Sequence, residues 1–113
     1  MAFWESLDRL ILENPLVIDR PRGSTHPRFP DSMYPVDYGY LEGTVSGDGH
    51  GIDVWRGSLP VTGIQGILVN IDALKKDVEV KLIVGCTEEE TRIISSYNNT
   101  YALSSIYIKR IEG

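Results

Sequence analysis

The sequence predicts a mainly β, α+β fold: a small antiparallel barrel with one helix before it and one helix late in the chain. Three observations carry this. Short runs of strand-forming residues recur along the chain, with VEVKLIV at 78–84 alternating most cleanly. Turn residues, above all glycine, proline and aspartate, separate most of these runs, which suits antiparallel neighbours. Apolar residues at helical spacing open the chain, and a threonine followed by acids marks a second helix near residue 87.

Taken in order, Phe3, Trp4, Leu7, Leu10 and Ile11 repeat at helical spacing, and Pro15 stops the pattern. Residues 16–18 read as a short strand. Residues 20–31, RPRGSTHPRFPD, hold three prolines and three arginines and form a loop. Strands are predicted over 38–45 and 52–56, flanking a glycine-rich bend, and then over 64–71 and 78–84. Thr87, with Glu89 and Glu90 behind it, caps a helix that ends near Asn98 and Asn99. Residues 102–111 supply the last strand.

At 113 residues the chain is long enough for one domain, residues 1–113, with a single core. Its 42% apolar and 24% charged residues are globular composition and exclude a disordered chain. One cysteine, Cys86, permits no internal disulfide and fits a reducing compartment; a small buried core residue is its ordinary role. Glu5 and Asp8 interrupt the N-terminal segment, so neither a signal peptide nor a membrane span is expected, and a cytoplasmic location follows. A net charge of −5, with no basic run beyond Lys75-Lys76, argues against nucleic acid as a partner. An anionic substrate would then be met through cations. The apolar N-terminal helix on so small a domain leads us to expect a homo-oligomer.

The chemistry centres on YPVDYGYLEGTVSGDGHGIDVW, residues 34–55. Asp48 and Asp53 stand five apart, with His50 between them and no lysine or arginine in the interval. Crowded carboxylates resist ionising together unless a positive charge neutralises them. Asp72 and Asp77 repeat the same spacing. Each pair borders a strand, so the four can project from one rim as oxygen ligands for a hard divalent cation. Aspartates also occupy turns because they cap and solvate them, and from the residues alone that plainer role is the stronger.

YPVDYGY followed by DGHGID resembles the soluble Mg-dependent inorganic pyrophosphatases of the single-domain type. In that family's pattern Tyr34, Pro35, Tyr38, Gly39 and Tyr40 match one element, and Asp48, Gly49 and Asp53 match the next. Asp72 and Asp77 match a third at the family's spacing. Upstream, VIDRPRGSTHPRF is similar to the family's basic stretch, with Asp19 for its glutamate, Arg22 for its first basic residue and Arg28-Phe29 for its Lys-Tyr pair. The resemblance runs over about residues 17–84, and Tyr97 extends it to a late tyrosine. It implies a five-stranded OB-like barrel and hydrolysis of inorganic pyrophosphate to two phosphates by a metal-activated water. It implies Mg²⁺, with Mn²⁺ an alternative, bound by Asp48, Asp53, Asp72 and Asp77. Arg22, Arg28, Tyr38 and Tyr97 would hold phosphate oxygens, and Asp48, His50 and Tyr38 would serve catalysis.

The chain also departs from that pattern. His50 replaces an aspartate that helps to activate the water, and Gly51 replaces a proline. Pro30 stands for a glutamate, Glu79 for a lysine and Asn98 for a lysine, and a hairpin bearing a phosphate-binding arginine is reduced to residues 30–33. Metal ligands are kept and phosphate ligands thinned. Cleavage of another phosphoanhydride such as a nucleotide, or non-catalytic metal or phosphate binding, therefore stands beside pyrophosphate hydrolysis. His50 has two readings, a turn residue or a general base that titrates near neutrality. His26 has the same two, with phosphate contact as its functional role. Trp4 and Trp55 are expected to pack, and Lys75-Lys76 to form a solvated turn.

Overall fold

Amphipathic periodicity builds two helices and six strands in the computed structural model, which describes residues 2–111. Helix α1 (Phe3–Glu13) leads to β1 (Leu16–Arg20), β2 (Asp37–Leu41), β3 (Ile52–Arg56), β4 (Gly66–Asp72) and β5 (Asp77–Val84). Helix α2 (Glu88–Tyr97) and β6 (Leu103–Lys109) complete the chain. The strands form one sheet in the order β1-β2-β3-β5-β4-β6, antiparallel throughout except for the parallel β3–β5 pair.

This sheet corrects the expected five-stranded barrel. It has six strands, and β1 and β6 are free edges, so it does not close. The physical reason is two-sided burial. Trp4, Leu7, Leu10 and Ile11 of α1 pack on one face, against Leu41, Val54, Ile64, Ile67, Leu82 and Val84. On the other, Ile94 of α2 and Tyr34 and Val36 of the loop before β2 join Trp55, Leu68 and Ile83. A barrel would fill one face with its own side chains, whereas here separate elements cover each face. Strand alternation reports a buried face and carries no information on closure.

Local chemistry explains the boundaries. At α1, the Asn14 side-chain amide donates to the Leu10 carbonyl at 3.0 Å, just before Pro15 ends the helix. At α2, Thr87 and Glu90 form a reciprocal capping box, the Glu90 N–H reaching the Thr87 hydroxyl at 3.1 Å and the Thr87 N–H reaching Glu90 Oε1 at 2.9 Å. Strand β2 is shorter than the alternation predicts. Thr44 bonds the Leu41 carbonyl and accepts from the Ile52 N–H, so a side chain replaces the ladder beyond Leu41. Gly39 is required within β2, because a Cβ there would collide with the Val17 carbonyl of β1. Cys86 and Trp55 are buried, and Lys75-Lys76 lies in an exposed turn, as expected. Among the described residues no helix is long and apolar enough to cross a membrane.

Candidate functional site

Register decides which of the predicted residues meet. Tyr40 pairs with Asp53 and Tyr38 with Trp55, so these four side chains share the sheet face that α2 covers. Val54 pairs with Leu82 in the parallel β3–β5 ladder, which brings the Lys81 side chain beside Asp53. Alternation along β5 then places Asp77, Glu79 and Lys81 on that face together.

Lys81 is the centre of the resulting cluster. Its ammonium donates to the Tyr38 hydroxyl at 2.6 Å and lies 3.7 Å from Asp53 Oδ2 and 3.9 Å from Glu79 Oε2. It also sits 4.8 Å from the centre of the Tyr38 ring. Burial raises the Asp53 carboxyl above its ordinary range, and Asp48 and Asp19 add to this, while Lys81 and a hydrogen bond with Tyr38 pull it back. Glu79 is likewise raised by burial, opposed by Lys81 and reinforced by Asp53, Asp48 and Asp77. Burial first, and then the Asp53 charge, keep the Tyr38 phenol protonated. The counter-charge that the acidic stretch requires is therefore supplied from β5. The lysine absent at position 79 is met by the one at 81, which no motif spacing points to, although the alternation of DVEVKL puts both positions on one face.

The four aspartates do not form one cluster. Asp48 Oδ1 accepts from the Ser46 hydroxyl at 2.6 Å and the His50 N–H at 2.9 Å, and these bonds hold its carboxyl below the usual range. Asp72 Oδ1 accepts from the N–H groups of Leu74 and Lys75, both at 3.0 Å, and so closes the β4–β5 turn. Asp77 stands opposite Asp72 in the ladder, and its charge reaches Glu79. Among the described residues no three histidine, cysteine or acidic side chains surround a common ion position. That does not match a four-aspartate ligand set. It leaves room for Mg²⁺ held by one or two carboxylates, for which Asp53 and Glu79, both beside Lys81, are the candidates.

His50 is exposed, and its backbone N–H belongs to the Asp48 turn. The Arg22 N–H binds Asp37 Oδ1 at 2.8 Å, away from Lys81. Tyr97 packs in the cluster of Tyr34, Tyr38 and Trp55 and shares a 2.9 Å hydrogen bond with Ser32, so it ties the loop down. Stacking links the two sides of the site: His26 lies over Tyr34 at 6.1 Å between ring centres and Tyr34 over Tyr38 at 5.4 Å. The Arg28 N–H donates to His26 Nδ1 at 3.0 Å. Burial lowers the His26 pKa, and the charges of Arg20, Arg28 and Lys75 lower it further. Acids gathered about Lys81 thus face one end of an aromatic stack, and basic residues about His26 face the other.

Two surface depressions lie elsewhere. One of about 480 Å³ is lined by Asp8, Gln65, Cys86 and Arg110, and one of about 280 Å³ by Arg22, Ser58, Glu89 and Glu90. In the first, burial pushes the Cys86 thiol up to about 12, which makes it a poor nucleophile. The Lys81 cluster has the convergent chemistry, and it lies on the sheet face rather than in either depression. Comparison of the chain with protein-family models, curated proteins and solved structures gives no match.

Proposed function

We propose that the protein hydrolyses small phosphoanhydrides, with inorganic pyrophosphate as the default substrate and Mg²⁺ as the cation, in the cytoplasm. One observation carries this reading. Tyr38, Asp53 and Asp77, drawn from three separate motif elements, share one face with Glu79 and Lys81, and Asp48 on its rim is coupled to it by charge. Bound Mg²⁺ would neutralise the substrate and lower the pKa of water, and Asp53 and Glu79 would hold it. The chain's own residues then have definite tasks. Lys81 is poised to turn its ammonium from the acids to a phosphoryl oxygen. Tyr38, protonated by its surroundings, can donate to another oxygen once the Asp53 carboxylate engages a cation. Arg28, beside His26, offers a bidentate grip on the distal phosphate.

A second reading, non-catalytic binding of phosphate or metal, is favoured by a different observation. Lys81 already neutralises Asp53 and Glu79, and Asp48 and Asp72 are engaged by their own turns. Phosphate release from pyrophosphate with Mg²⁺ or Mn²⁺, measured beside a nucleotide panel, separates the two. Turnover of pyrophosphate supports hydrolysis. Calorimetric binding of pyrophosphate without turnover of any phosphoanhydride supports the second reading.

A further inference from the structure

Strand β5 alternates in the opposite sense from what its surroundings require. In DVEVKL the acidic and basic side chains lie on the face that α2 and the loop before β2 partly cover, whereas Val78 and Val80 lie on the part of the other face that α1 leaves open. Val78 is 64% exposed and Val80 47% exposed. Their cross-strand neighbours continue the pattern. Val80, Val69 and Ile106 form one row across β5, β4 and β6, and Val78, Ile71 and Ser104 form the next. Leu82, Ile67 and Ile108 complete it toward α1. Ile71, Ile106 and Ile108 are 50%, 61% and 40% exposed. Eight aliphatic residues and one serine occupy these positions, with no charge among them. A solvated sheet face ordinarily carries polar residues at alternate positions, and this one carries a single serine, Ser104.

We infer that this face packs against the same face of a second copy of the chain. The exposed parts of the five residues amount to on the order of 500 Å² of apolar surface per copy, near the upper end for patches on stable monomers. Two such faces together bury about 1,000 Å², the lower bound for a specific protein–protein interface. A pleated face of valine and isoleucine is flat and self-complementary, and its β-branched side chains lose little rotamer freedom on packing. Face-to-face sheet packing about 10 Å apart is the established geometry for such surfaces. A lipid surface fits less well, because membrane-bound faces pair apolar area with basic residues and this chain carries a net charge of −5. Helix α1 cannot cover the patch, since its apolar side chains already pack on the other half of the sheet. This inference is independent of the proposed activity.

Sedimentation velocity of the full chain from about 1 to about 100 µM tests it, since a modest interface dissociates in that range. Wild type is expected to pass from monomer to dimer with concentration, and Val80→Lys/Ile106→Lys to stay monomeric with an unchanged circular dichroism spectrum. Glu42→Lys, on an exposed turn, adds the same charge elsewhere and should dimerise like wild type. Should the double lysine variant fail to fold, Val78→Thr/Val80→Thr decides the matter, with about tenfold weaker association expected. A wild type that is monomeric throughout overturns the inference, as does a folded patch variant that associates like wild type. Flotation of a monomeric wild type with phosphatidylcholine vesicles would overturn it in favour of a lipid surface.

Discussion

The chain contains Asp-x4-Asp twice, and the two copies do different things. Asp48 and Asp53 span a ten-residue excursion between β2 and β3, so that Asp48 caps a turn on the rim while Asp53 enters the sheet face beside Lys81. Asp72 and Asp77 span a tight hairpin, which sets them opposite each other and ties Asp72 to the backbone of its own turn. Spacing alone fixes neither geometry nor charge state. The connection length does, because it decides whether the second aspartate continues the ladder of the first or enters a different pair of strands.

The sharpest way to break this contrast is to remove Lys81. Lys81→Met leaves Asp53 and Glu79 partly buried without a counter-charge, and we expect a loss of about 1–2 kcal/mol at neutral pH, discounted from fully buried pairs because all three side chains retain solvent. The sign with pH is definite. Folding already raises both carboxyl pKa values, so their ionisation disfavours the folded state above those values, and the penalty disappears as pH falls through them toward the unfolded values. The Lys81→Met defect, read by urea denaturation, should therefore shrink on acidification. A defect that stays the same across pH would show that Lys81 acts through packing instead.

The response to cation is the larger effect. Wild type should gain thermal stability with millimolar Mg²⁺, by about 2.7 kcal/mol at a hundredfold excess over the dissociation constant. Asp53→Asn should abolish the gain and Asp72→Asn should keep it. Equal gains in both variants would erase the distinction between the two pairs.

Much of this was legible in the sequence. Thr87, Glu90 and Asn98 fix α2 by local chemistry, and local chemistry can be read from one segment at a time. The partnership of Lys81 with Asp53 required the β3–β5 parallel pairing, a contact between residues distant along the chain with β4 inserted between them in sequence. No local pattern encodes it. Failure of the sheet to close has the same origin. The turn-capping role of Asp48 and Asp72 was readable in principle, from Ser46 two residues before Asp48 and from the short hairpin after Asp72.

Smaller effects sharpen the picture at the basic end. Arg28→Ala should weaken pyrophosphate binding about tenfold, the loss of one charge-assisted contact. Arg22→Ala should leave it unchanged, because Arg22 sits by Asp37. Calorimetry that finds the reverse order would move the phosphate site to Arg22. The smallest effect is expected at His50. Its hydrogen bonds are made by its backbone, an N–H to Asp48 and a carbonyl that accepts from the Ser46 N–H, and His50→Ala retains both, so the rate and its acid limb should change less than about twofold. A loss on the order of a hundredfold would restore the imidazole as general base.

Phosphate release from pyrophosphate with Mg²⁺, measured for wild type, Asp53→Asn and Asp72→Asn side by side, tests most directly whether the Lys81 face is the working site. Turnover by wild type, near-complete loss in Asp53→Asn and retention in Asp72→Asn are the expected results. Turnover that survives in Asp53→Asn, or a wild type inert toward every phosphoanhydride, would contradict that assignment.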